Sequence, residues 1–382
     1  MNLPGGRSAN ALAAHMAWRK SGTVPGLSAA GRKVLGRGFG RDVRCRILLI
    51  YQDHPLAYMQ FYPFLHYTSR FARLGIQFRA MPYAALNPDI LPPGLDAIFL
   101  QSSYTPASGE LEGMLRRLKA NRPNLRISYF DWFAPTDVRM AERVEPWVEA
   151  YVKKSLLRDR DAYRIPTLGH TNLTDHYGPR FGVENPPRTW NVPPEIVDRL
   201  IAGPAFSTAS VLIRQFESDR LIPDGPRPID LHARIATKGT PWYTAMRTET
   251  QDALAAFPDL KVISSGRVSL KAFNQELAQS KLCFSPFGYG EICWRDFEAI
   301  AAGSVLVKPD MSHIDADPDI YQPFETYIPV RWDLTDLDEK VRAALADPAG
   351  MRRIAERAYA VVHDHLKGPT LENLVKHLAG FG

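Results

Sequence analysis

No stretch of the 382 residues approaches the roughly 18 uninterrupted apolar residues that a membrane-spanning helix needs, so the chain is expected to be soluble. Cysteine is scarce: Cys45, Cys283 and Cys293 form an odd set without a Cys-x-x-Cys pair. That points to a reducing cytoplasm and argues against a zinc site. Acidic residues are missing from the first 41 positions, which hold Arg7, Arg19, Lys20, Arg32, Lys33, Arg37 and Arg41. The net charge of +6 therefore belongs to an N-terminal arm, because the rest of the chain carries 40 basic against 41 acidic side chains. A near-neutral body outside the arm argues against nucleic acid as a partner. The arm also lacks the apolar core and cleavage pattern of an export signal. Its segment 11–20, with Met16 and Trp18, would suit peripheral contact with the anionic inner face of a membrane; the alternative is a loosely attached tail.

What is present is alternation. The length suits two domains with a cleft between them. Short apolar runs at 46–51, 76–81, 96–101 and 125–130 read as buried parallel strands, separated by helical stretches at 59–74 and 109–121. A charged helix is expected between 142 and 161, followed by a proline-rich irregular region from Pro166 to Pro194. Alternation resumes with strands at 229–235, 261–264, 281–284 and 304–308 and helices between them. The expected fold is α/β, with two facing, doubly wound, Rossmann-like domains. The expected limits are a basic arm over 1–42, a first domain over 43–205, a second over 206–350, and helices over 351–382 that pack back across the connection.

The chemistry concentrates in residues 281–310, which read as strand, glycine loop, helix, strand. Ligands of open parallel sheets bind beyond the carboxyl ends of strands, which puts the 285–291 loop at the site. Gly288 and Gly290, flanking Tyr289, would let the backbone approach a ligand closely and turn outside the usual dihedral regions, and the following helix would offer its N–H groups to an anion. Arg295 in the first turn could pair with a diphosphate, or make a surface ion pair. Glu298, about one turn on, suits two vicinal ribose hydroxyls, and Glu291 would face a sugar whose anomeric carbon becomes positive; capping or solvation is the plain alternative for both.

The run Pro286-Phe-Gly288, then Glu291, then Phe297-Glu-Ala-Ile-Ala-Ala-Gly303 resembles the donor-sugar signature of GT-B glycosyltransferases, in particular their group-one and exostosin-like branches. The chain departs from that pattern in having Ser285 before Pro-Phe-Gly and a longer insertion carrying Glu291. The resemblance implies that Glu298 binds the donor, and that a basic pair after the first strand of the second domain grips its diphosphate. Arg234 and Lys238 are similar to that pair. It further implies metal-independent transfer from a nucleotide diphosphate sugar as co-substrate, without another cofactor, to a glycan, lipid-linked or other hydroxyl acceptor, as in bacterial surface polysaccharide or glycoconjugate synthesis. Other readings of this architecture are an inactive nucleotide-sugar-binding protein, a sugar epimerase or a phosphorylase.

In the first domain, Asp53 and His54 follow the first strand and Asp131 follows the fourth, as a general base or an acceptor contact would. Tyr129, Trp132 and Phe133 beside it would stack on a sugar or fill the core. Asp315-Ala-Asp317 has the spelling of a metal motif but does not end a strand, and reads as a polar loop. His313 reads as a surface residue within reach of the cleft.

Overall fold

The computed structural model describes residues 39–40, 42–169, 172–217 and 225–381, so the basic arm lies almost wholly outside the described residues. The first domain runs β1 (Cys45–Tyr51), α1 (Pro55–His66), α2 (Thr68–Arg73), β2 (Ile76–Pro82), β3 (Ala97–Leu100), α3 (Glu110–Asn121) and β4 (Arg126–Asp131). It continues through β5 (Ala150–Lys153), β6 (Leu156–Leu157), α4 (Asn172–Arg180) and β7 (Leu200–Ala202). The second runs β8 (Ile229–His232), α5 (Pro241–Ala255), β9 (Val262–Ile263), α6 (Leu270–Ala278), β10 (Ser280–Phe284), α7 (Trp294–Ala301), β11 (Val305–Pro309), β12 (Ile314–Asp315) and β13 (Ile328–Val330). Three helices follow: α8 (Leu337–Ala346), α9 (Pro348–Lys367) and α10 (Thr370–Ala379).

Both main sheets are parallel, in the orders β2-β1-β3-β4-β5-β7 and β9-β8-β10-β11-β13. β1 is buried along almost its whole length, as its run Cys-Arg-Ile-Leu-Leu-Ile-Tyr requires of an inner strand covered on both faces. One apolar cluster covers one face of the first sheet, with Ile98, Leu115 and Ile127. Another joins Phe64 and Phe99 of the first domain, through Phe206 and Phe216 of the connection, to Phe297, Leu306 and Val362. A third covers the opposite face of the second sheet around Leu231, Leu282 and Val341. The expectation of two doubly wound Rossmann-like domains is borne out.

The charged helix expected over 142–161 is not formed. The chain there makes one helical turn at Ala141–Val144, a 3-10 turn at Glu145–Trp147, and then β5 and β6. Its charges misled because Lys153 is fully buried, paired with Asp131 on the neighbouring strand at 2.6 Å. Between Ala57 and Leu74 two helices stand where one was expected, broken at Tyr67.

The carboxyl ends of the two sheets face each other. Gly290 of the second domain lies so close to the first that a Cβ there would stand 1.8 Å from the carbonyl oxygen of Ala134. β12 pairs antiparallel with β6, and Arg158 adds bonds to the carbonyls of Ser312 and Ile314, so a short ribbon crosses between the domains. At the other end the last helix returns to the first domain. There Arg70 forks onto Glu372 at 2.6 and 2.8 Å and also reaches the carbonyls of Leu366 and Gly368, while Arg126 donates to Leu378 O.

Candidate functional site

The strand ends of the second domain carry three loops: 233–240 after β8, 264–269 after β9 and 285–293 after β10. Two buried arginines stitch the first to the third. Arg247, from the buried face of α5, donates to Phe287 O at 2.6 Å and Ala236 O at 3.5 Å. Arg295, from the first turn of α7, donates to Arg234 O and to Phe284 O, and is 1% exposed. The expectation that Arg295 pairs directly with a diphosphate is therefore corrected: its guanidinium lies buried beneath the loops, with Nη1 and Nη2 bonded to carbonyls, and shapes the site from below. Arg247 was missed. Its signal was the spacing of Trp242, Met246, Thr250 and Leu254, which defines the buried face of α5 beside it.

Arg234 is held as well. Its Nε and Nη2 fork onto Glu276 at 2.6 and 2.7 Å, and Nη1 reaches the carbonyls of Ser265 and Gly266. It thereby ties the β8 loop to the β9 loop. Below it, burial and the charge of Arg295 push the His232 imidazole down to about 4, so this ring is neutral at physiological pH. Lys238 is exposed in the same loop, immediately before the start of α5. That helix begins Thr240-Pro241 with no side-chain cap and no acidic residue in its first turn, so its positive end is uncompensated from within. Tyr289 is exposed, stacks on Tyr243 at 4.6 Å and accepts a bond from Thr240 N at 3.1 Å, joining the two loops at their rim.

The N-terminus of α7, where an anion was expected, is already occupied. Asp296 accepts from Cys293 N at 2.9 Å, Ser285 Oγ at 2.5 Å and Tyr321 OH at 2.7 Å, and pairs with buried Lys308 at 3.3 Å. Sequence reasoning overlooked this residue, whose sole advance sign was its place as the third residue of a capping box. The glycines also need correction. Neither Gly288 nor Gly290 has a positive φ, and Gly290 is required by contact with Ala134. Gly288 donates its N–H to Gly290 O at 3.0 Å, which turns the loop. Glu298 stands half-buried in the second turn of α7.

Glu291 does not face an open sugar site, as had been expected. It is fully buried between the domains, where Oε2 accepts from Thr136 Oγ1 at 2.5 Å and Oε1 lies 3.8 Å from His313 Nε2. Burial pushes this carboxyl up, but neighbouring His313 and the Thr136 hydroxyl outweigh it and hold the group below its ordinary value. His313, about a quarter exposed, packs edge-on against Trp332.

Asp131 is likewise committed. It is fully buried and accepts from Phe133 N at 2.8 Å and from Tyr151 OH and Lys153 Nζ at 2.6 Å each, so it shapes the turn after β4 and is not a base open to an acceptor. Tyr129 and Phe133 fill the core, whereas Trp132 is half-buried and lies tilted against His54, ring centroids 4.6 Å apart. His54 caps α1 by accepting from Leu56 N through Nδ1, which leaves the proton on Nε2. As placed it donates, and the expectation of a base there is corrected. Asp53 is exposed and accepts from Tyr58 OH at 2.6 Å. Lys154, missed with its strand, is 6% exposed, donates to Phe133 O at 2.7 Å and is pushed down to about 7 by burial and the charge of Lys153. The polar-loop reading of 315–317 is corrected: Asp315 ends the short strand β12 and pairs with Arg160 at 2.6 Å, while Asp317 pairs with His365 at 3.2 Å, so both carboxylates are used in ion pairs.

Residues 227–374 match a family model described as glycosyl transferase-like. The matched residues make up most of the second domain and the helices that follow it. That domain carries the three loops described above, and with the first domain it makes a facing pair of Rossmann-like units. No curated protein matches the chain in sequence. Solved structures of similar course include a glycosyltransferase from Rickettsia africae ESF-5, at 10% identity over 87% of this chain and 98% of that one, with a TM-score of 0.47. A sucrose-phosphate synthase from Thermosynechococcus elongatus shares 13% identity over 89% and 100%, with a TM-score of 0.40. An alpha-glucosyltransferase solved with UDP-glucose and DNA containing an abasic site shares 10% over 87% and 98%, with a TM-score of 0.44.

Proposed function

We propose that the protein transfers a sugar from a nucleoside diphosphate sugar, held by the second domain, to a hydroxyl acceptor presented by the first domain. The observation that carries this reading is the layout of the β8 and β10 loops: Lys238 beside the acid-free start of α5, two guanidiniums beneath the loops, and Glu298 on α7. A diphosphate at the 237–241 turn would meet Lys238 and the backbone N–H groups of α5. The charge that grows on the leaving diphosphate is then met by groups already in place, which is where electrostatic catalysis gains most and what a metal-independent step requires. Glu298 would accept from the ribose hydroxyls. Arg234, held by Glu276, stiffens the wall of the site.

The acceptor is read as a glycan or lipid-linked glycan of bacterial surface polysaccharide or glycoconjugate synthesis, handled in the cytoplasm. Three buried free cysteines accord with that compartment, and among the described residues no helix is long and apolar enough to cross a membrane. The test is calorimetry of UDP and GDP binding to Glu298→Ala and Lys238→Ala. Each variant is expected to weaken the nucleotide that binds by about tenfold or more, as loss of one charged hydrogen bond implies. Unchanged binding in both would overturn the donor-site assignment.

A further inference from the structure

Two lysines stand together at the end of β5, and only the first has a counter-charge. Lys153 is paired with Asp131 at 2.6 Å, whereas Lys154 is 6% exposed and has no carboxylate within ion-pair distance among the described residues. An ammonium has three protons to place. Lys154 donates to Phe133 O at 2.7 Å, and its remaining neighbour is the ring of Phe206, 5.6 Å away. Both partners sit at the junction of the domains. Phe133 precedes Ala134, against which Gly290 is pressed, and Phe206, in the connection, lies tilted against Trp294 at the start of α7, ring centroids 5.1 Å apart. The charged and titratable groups that face Lys154 are Lys153 on its own strand, Asp131 at the end of β4, and Glu291 and Cys293 on the β10 loop of the second domain. Asp131 is committed to Lys153, and Glu291 to Thr136 with His313 beside it, so neither carboxylate holds the Lys154 ammonium.

We propose that Lys154 is a proton switch in the domain junction: shutting the β10 loop on the 133–136 turn expels its proton to solvent, and local parting of the two lets water and the proton return. A buried ammonium without a partner charge is costly, and the amine escapes that cost by giving up its proton. Parting the loop from the turn hydrates the amine and removes the penalty. Burial first, and then the charge of Lys153, hold this group at about 7 in the shut junction, against an ordinary 10.5. Between those values the parted form binds more protons. Parting is therefore favoured as pH falls through that window, by up to about tenfold per pH unit, and levels off below it. Mild alkali shuts the junction and neutral pH loosens it. Glu291 adds nothing in this window, because its carboxyl is held below its ordinary 4.5 and is ionised throughout. The switch depends only on the junction and stands apart from the sugar-transfer reading.

Cys293 is a built-in reporter, since it stands in the same loop, 7% exposed, with its Sγ on the carbonyls of Pro286 and Glu291. The experiment is alkylation of the full chain by N-ethylmaleimide at about pH 7.5 and about pH 8.5, read by peptide mass mapping, with each rate divided by that of free N-acetylcysteine to remove the thiolate fraction. The quotient at Cys293 is expected to fall about fivefold or more across that unit in the wild-type chain. It should change by less than about twofold in Lys154→Met, which fills the space without a charge, and in Lys154→Arg, whose guanidinium keeps its proton. His313→Gln, which removes the imidazole beside Glu291, should keep the slope. A wild-type quotient that moves by less than about twofold overturns the proposal whether or not the variants fold. So does a slope that survives in Lys154→Met, one that is lost in His313→Gln, or one shared by the buried Cys45 and Cys283, which would place the titration in global unfolding.

Discussion

Each domain buries one lysine–carboxylate pair beyond its central strands, and the two pairs are put to different uses. In the first domain Lys153 and Asp131 come from the ends of adjacent strands and hold the turn that presents Trp132. In the second, Lys308 reaches from a strand to Asp296 in the first turn of α7, which caps the helix and fixes the loop before it. The same local chemistry thus gives an aromatic ring on one side and a set of backbone-lined loops on the other. The difference lies in what the carboxylate touches besides its lysine. Asp131 takes a backbone N–H and a tyrosine and leaves the next side chain pointing outwards, whereas Asp296 takes the N–H of the helix cap and claims the place where an anion would otherwise sit.

Breaking one pair at a time is the harshest test of that comparison. Asp131→Asn or Asp296→Asn leaves a lysine without its counter-charge in a fully buried site, which should cost about 3–5 kcal/mol in urea unfolding. Asp131→Asn should leave UDP or GDP affinity in place wherever the protein remains folded, while Asp296→Asn should weaken it. A gentler probe is the contact between the two regions. Gly290→Ala drives a methyl group into Ala134 and should cost about 1–3 kcal/mol, with Gly288→Ala, whose nearest neighbour would be at 3.4 Å, costing less. The smallest effect is expected from Glu291. Its carboxyl is held below the ordinary 4.5, so the unfolded chain binds that proton more readily. The stability this gives is present above the ordinary value and is lost as pH falls through the folded one. A pH series of thermal melts should therefore show an acid-side fall that Glu291→Gln flattens.

The two regions also differ in how much of them could be read in advance. The second domain's loop and helix lie within one continuous segment, 281–310, so Glu298, Tyr289 and the turn were visible as a pattern. What was not visible is direction: Arg295, Glu291 and Gly290 all stand in that segment, yet one turns under the loops and two turn to the other domain. Side-chain direction there is decided by partners distant in sequence, Arg234 and Thr136 among them. The first domain's side chains at the strand ends come from positions 53–54, 131–133 and 153–154, and no spelling connects them. Its decisive strand, β5, was concealed because Tyr-Val-Lys beside charged neighbours looks like a solvated helix until Lys153 is seen to have a buried partner. Strand order and the doubly wound plan were legible, because parallel strands covered on both faces need continuous apolar runs and those survive in the sequence.

The ribbon of β6 with β12 and the return of α10 onto β4 and α2 attach the domains at two separated places. To them are added the apolar cluster that runs through the connection, the Thr136–Glu291 bond, the Arg180–Glu249 pair and the Gly290–Ala134 contact. The domains are thus riveted along a seam, and a force that parts them has to undo several joints at once.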